Sequence, residues 1–149
     1  MNEKWIIPCN LKYFNVEAHF QTTNEVVWNN TFTMKTGDTV YIYVTAPESA
    51  IRFRCKIISD KVDEQKLLEN AYAIPKRESH NYFSHKNKYV VLKLERRYPA
   101  SFLTLAKLRL HGLGQVQMQA RANRELNKYL TEADDYINTR ITNGGEDNA

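Results

Sequence analysis

The sequence predicts an α+β domain: a small mixed β-barrel with flanking helices and an amphipathic helix at the C-terminal end. Three observations predict it. Residues 38–45 and 50–59 are β-rich runs separated by the short Ala46-Pro47-Glu48-Ser49 loop, and the first is entered through Gly37-Asp38. Val40, Ile42 and Val44 alternate with Tyr41, Tyr43 and Thr45, the period of a strand with two distinct faces. Leu126, Tyr129, Leu130, Ala133, Ile137 and Ile141 recur at three and four residues, the stripe of a helix that docks on a body.

The other elements follow in order. Residues 4–8 read as a short buried strand stopped at Pro8. Residues 15–22 read as a short helix capped by Asn15, with Val16 and Phe20 on one face. Val26-Val27-Trp28 is a short apolar segment. Gly37 supplies the positive φ of a tight turn, and Asp38 the side chain that bonds its backbone. Residues 61–88 lack sustained periodicity and read as a basic insert, a long loop holding a short helix. Tyr89–Leu94 is a further strand. Leu103, Leu105, Leu108 and Leu110 mark a short helix that ends at Gly112, free to turn left-handed. Residues 113–119 read as a loop or edge strand. The last helix is expected over 124–142, within a single domain of residues 1–142, and 143–149 as a disordered tail.

At 149 residues the chain can bury a core. No apolar run spans a membrane and no signal-peptide pattern opens the chain, which leads to the expectation of a cytoplasmic protein. Cys9 and Cys55 have no metal-site spacing and read as buried free thiols. The net charge of +4 is unevenly placed. Residues 1–60 are neutral, 61–124 carry thirteen basic against five acidic residues, and 125–149 carry two against six. A basic middle segment favours a polyanionic partner over a solvated face.

Catalysis finds little support. His19, His80, His85 and His111 lack ligand spacing, and there is no glycine-rich phosphate loop, paired aspartate motif or nucleophile elbow. Neither cofactor nor metal is expected, and the chain reads as a non-enzyme.

Taken as an ordered set, several motifs resemble an EVE domain of the PUA-like superfamily, related to YTH readers. They are Lys4-Trp5-Ile6-Ile7-Pro8, Trp28-Asn29, the run from Lys35 to Tyr43, Ala50-Ile51-Arg52-Phe53-Arg54-Cys55-Lys56-Ile57-Ile58 and Tyr89-Val90-Val91-Leu92-Lys93-Leu94. The family's usual glycine before the third strand is replaced by Ser49-Ala50-Ile51. The resemblance implies a non-catalytic module that holds a flipped, modified base in an aromatic pocket. It implies 5-substituted cytosine in DNA as that base, a place in modification-dependent restriction or phage defence, and a nuclease or NTPase encoded nearby. Two alternatives stand beside it: a PUA-like RNA-binding domain, and a small metal-independent ASCH-like ribonuclease. The latter would want a glycine-x-lysine motif with a paired acidic residue, which is not found.

A base reader needs faces to stack on, amides for the base edge and cations for phosphates. Stacking on an aromatic is worth on the order of 1–3 kcal/mol per base, and extruding a base from a duplex costs roughly a few kcal/mol. Trp28 borders a polar loop and is the first stacking candidate, against an ordinary core role. Trp5 divides between core and pocket, and Tyr13 between rim and helix packing. Tyr43, with Tyr41, lies on the strand face opposite the valines. Asn10 and Asn29 can both donate and accept at a base edge, or serve as turn and cap residues. Arg121, Arg124, Arg96 and Arg97 are the phosphate candidates, the first two at the start of the last helix. Lys86 and Lys88 read as solvated.

Overall fold

A computed structural model describes residues 2–30, 33–67, 89–116 and 119–147. In chain order the elements are β1 (Lys4–Cys9), α1 (Val16–Thr22), β2 (Glu25–Asn29), β3 (Thr39–Val44), β4 (Ala50–Ser59), α2 (Glu64–Leu67), β5 (Tyr89–Arg97), β6 (Leu103–Thr104), α3 (Leu105–Leu110), β7 (Ala120–Arg121) and α4 (Arg124–Asp147). Among the described residues the strands form one seven-stranded sheet in the order β2-β5-β4-β3-β1-β7, with β6 beside β4. β1 and β3 are parallel and the other pairs antiparallel.

The sheet is mixed, as expected, but it is not a closed barrel. Its path ends at β2 and β7, and β7 is only two residues long, too short to ladder onto β2. The two ends meet instead through a side chain, Gln119 Nε2 donating to the Asn29 carbonyl. The first strand continues through Pro8 to Cys9. β7 pairs only with Trp5 and Ile6, so one side of β1 is open at Pro8, where a missing N–H costs no ladder bond. The last helix runs to Asp147, past the boundary expected at residue 142. Of the basic insert, residues 68–88 lie outside the described residues, as do Lys86 and Lys88.

Local sequence explains the rest. Asn15 caps α1, its Oδ1 accepting from Ala18 N at 3.1 Å, and Val16 and Phe20 are buried. Asn123 caps α4 in the same way, accepting from Leu126 N at 2.8 Å. Gly37 and Gly112 take φ of 98° and 99°. Asp38 does more than close its turn. Buried at 3 % exposure, its carboxylate accepts from Lys35 N (3.0 Å), Glu3 N (3.0 Å) and the indole Nε1 of Trp5 (2.9 Å).

The sheet has a core on each face. Val40, Ile42 and Val44 pack on the first face with Trp5, Ile7, Phe53, Cys55, Leu92 and the buried side of α1. Tyr41 and Tyr43 pack on the second face with Ile6, Ile51, Tyr98, Leu103 and Leu108, and α4 closes over them with Leu126, Leu130 and Ala133. The expected sidedness of β3 is therefore present, but the tyrosine face is covered. Burying a leucine stabilises by roughly 1.5–3 kcal/mol, so Leu126 and Leu130 dock α4 on this face.

Candidate nucleic-acid interface

The sheet register brings cations together on the second face. Residues directly opposite one another on paired strands share a face. One row across the sheet reads Lys4, Thr39, Lys56, Lys93, Glu25, on β1, β3, β4, β5 and β2. The next reads Ile6, Tyr41, Arg54, Arg96. A bulge in β5 at Glu95 keeps both rows aligned, since two steps on β4 match three on β5. Arg54 thus faces Arg96, and Lys56 faces Lys93. Like charges placed directly opposite destabilise a sheet. Glu25 lies across from Lys93, but its carboxylate bonds Lys66 Nζ at 3.0 Å. Among the described residues neither Lys56 nor Lys93 has an ion-pair partner. An open groove of about 360 Å³ continues the row, with Glu25, Lys61 and Lys66 along it.

The arginines of the second row are answered by one carboxylate from outside the sheet. Asp134 of α4, 8 % exposed, accepts from Tyr41 Oη at 2.9 Å and from Tyr98 Oη, and pairs with Arg54 Nη1 at 2.9 Å. Arg96 Nε stands 4.0 Å away and its Nη2 donates to Asn138. Glu95 lies 3.3 Å from Arg54 Nε, and Lys4 Nζ donates to Thr131 Oγ1 at 2.6 Å. Burial, then the Asp134 charge and hydrogen bond, push the Tyr41 phenol well above its ordinary pKa. Burial followed by the bond to Asp134 does the same for Tyr98. Burial pulls the Lys4 ammonium down, against the attraction of Asp134.

The residues expected to contact a base are divided. Trp28 is half-buried on β2, its ring edge-to-face with Phe14 at 5.6 Å. Tyr13, beside Phe14, is 45 % exposed. Asn29 ends β2 near Trp28. The Asn10 side chain accepts from Lys12 N at 2.9 Å and its carbonyl from Tyr13 N, so it shapes the turn that carries Tyr13. The Phe14 ring, next in sequence to Tyr13, is what links this turn to Trp28. Trp5, 3 % exposed and bonded to Asp38, and Tyr43, 5 % exposed beneath α4, lie in the two cores.

The phosphate candidates also separate. Arg121 is exposed over the Trp5 ring at 5.3 Å and 3.7 Å from Glu3, and Arg124 is exposed at the start of α4. Arg97 donates to the Phe20 carbonyl at 2.7 Å, tying β5 to α1. Arg96 belongs to the Asp134 cluster. Sequence reasoning missed Lys4, Arg54, Lys56, Lys93 and Asp134 as a group. A signal was present: Arg52, Arg54 and Lys56 put a cation at every second position of an otherwise apolar strand.

No protein-family model matches this sequence, and no curated protein matches it. Solved structures do. An ASCH protein from Zymomonas mobilis superposes with a TM-score of 0.61 at 13% identity, over 87% of this chain and 94% of that one. Its serine-to-alanine and tyrosine-to-phenylalanine mutant structures match similarly. A hypothetical protein from Leishmania major gives 0.58 at 15% identity over 93% and 98% of the two chains, and one from Pseudomonas syringae 0.60 at 13% over 87% and 97%. At such identity the likeness is one of fold. The chain has a fold like that of the ASCH protein, and the likeness does not single out the EVE domain. Among the described residues no helix is long and apolar enough to cross a membrane, and no group of three metal-ligating side chains occurs.

Proposed function

We propose that this chain is a non-catalytic nucleic-acid-binding module whose partner is RNA with unpaired bases. The observation that carries the reading is the facing pair Lys56 and Lys93, in the row beside the Arg54 and Arg96 pair that Asp134 already answers. Folding alone disfavours that placement, and a polyanion laid across the sheet offsets it. The aromatic residues support RNA over a modified base extruded from duplex DNA. Trp5 and Tyr43 are interior, which leaves half-buried Trp28 and exposed Tyr13. Such an arrangement suits stacking of a base already unpaired, which carries no extrusion cost.

Anisotropy titrations across a range of salt test the reading. Single-stranded and hairpin RNA, duplex DNA and duplex DNA bearing 5-methylcytosine are the probes. The expected result is tightest binding to RNA with unpaired bases, weakened by Trp28→Ala or Tyr13→Ala, without cleavage on long incubation. Preference for the methylated duplex would establish the EVE-type reading instead. Shortened RNA products would establish the ribonuclease alternative.

A further inference from the structure

The cluster around Asp134 has more donors than its carboxylate takes up. The hydroxyls of Tyr41 and Tyr98 and the guanidinium of Arg54 converge on two oxygens, with Arg96 alongside. Arg96 Nε and Arg96 Nη1 are buried without a hydrogen-bond partner, while Arg54 Nε is ion-paired with the Glu95 carboxylate at 3.3 Å. Such donors are costly to leave unmade. Every one of these groups belongs to the sheet or to the residue that follows β5, so they form one rigid floor. Asp134 alone arrives from elsewhere, on a helix. Lys4, Lys56 and Lys93 lie in the adjoining row.

We propose that Arg54, Arg96, Tyr41 and Tyr98 form a phosphoryl-binding subsite, filled in the free protein by the Asp134 carboxylate, so that α4 competes with the ligand for it. A terminal or free phosphate brings one or more free oxygens beyond those of a carboxylate and a larger negative charge, and planar guanidinium groups bind it in forks. It would reach the donors that Asp134 leaves unmet. That the phosphoryl group is the terminal phosphate of an RNA rests on the function proposed above; the subsite itself does not.

The test compares wild-type protein with Asp134→Asn, which keeps the side-chain size and removes the competing charge. Thermal shift is read against inorganic phosphate, and anisotropy against single-stranded RNA bearing a 5′-phosphate. Asp134→Asn should bind phosphate at least roughly tenfold more tightly than wild type, and Arg54→Gln in that background should abolish the gain. A parallel gain for RNA supports both the subsite and the nucleic-acid reading. A gain for phosphate alone supports the subsite and counts against RNA. Equal phosphate affinity in the two proteins, or a gain that survives Arg54→Gln, overturns the inference and leaves wild-type RNA binding to be judged separately. Should Asp134→Asn fail to fold, hydrogen exchange of wild-type protein decides the matter. Saturating phosphate must speed exchange of the α4 amides around Asp134, and unchanged or slower exchange overturns the inference.

Discussion

Neutralising Lys56 and Lys93 together, as Lys56→Gln and Lys93→Gln, separates a binding surface from a structural one because the two consequences have opposite signs. The pair is directly opposed across β4 and β5, and among the described residues neither lysine has an ion-pair partner. Opposed like charges cost on the order of 0.2–1 kcal/mol, so the double variant should be more stable by about that amount. Glu25 sits across from Lys93 on β2 but is held by Lys66, so little attraction is given up in exchange. Binding should move the other way. Each single-strand phosphate that the protein no longer neutralises lowers the slope of log affinity against log salt by about 0.7. Two such phosphates lower it by about 1.4, which over a fourfold change of salt removes roughly a sevenfold change in affinity. Urea unfolding reads the first effect and an anisotropy salt series the second. An unchanged slope in a folded variant, or a loss of stability, would refute the reasoning.

Three further outcomes follow from the packing. Asp38→Ala strands three donors at once, those of Lys35, Glu3 and Trp5, and should cost about 3 kcal/mol or more by urea unfolding, with a shift in tryptophan emission; a loss below about 1 kcal/mol would mean water replaces the carboxylate. Gly112→Ala meets φ of 99° and places a Cβ 3.0 Å from Asn123 Oδ1, the cap of α4, so about 1–2 kcal/mol should be lost, whereas Gly114→Ala, with open space around it, should be close to neutral. Burial pushes the Cys9 thiol up to about 12 and raises Cys55 as well, so neither should react with a thiol reagent at pH 8 until the chain is unfolded. The same groups make the fold sensitive to alkali. Their folded pKa values, like those of Tyr41 and Tyr98, lie above the ordinary 9.0 and 10.0. Stability is therefore whole below pH 9 and falls above it, by up to about 1.4 kcal/mol per pH unit for each such group. Lys4, with its pKa lowered, works in the opposite direction below 10.5 and is outnumbered.

What could be read ahead of the structure was whatever depends on near neighbours. Asn15 capping α1, the Gly37-Asp38 turn and the stop at Gly112 are settled within a few residues, and each forms as local chemistry dictates. The alternation in β3 correctly divides valines from tyrosines. A period of two says that a strand has two faces; it does not say what covers the second. That face is closed by a helix more than eighty residues later in the chain, so Tyr43 reads as available when it is buried. The cation rows were hidden for a related reason. Which β5 residue faces Arg54 depends on the bulge at Glu95, and moving the pairing by one residue would send Arg96 to the other face. The candidate site nonetheless leaves two marks in the sequence, of opposite sign. Arg52, Arg54 and Lys56 interrupt an apolar strand at every second position, and Asp134 interrupts the apolar stripe of the last helix four residues after Leu130. Each alone reads as solvated surface. A carboxylate on the docking face of a helix must meet a cation or go unpaired, and a strand with cations on one face supplies it. The two anomalies explain each other only once the helix is laid on the sheet.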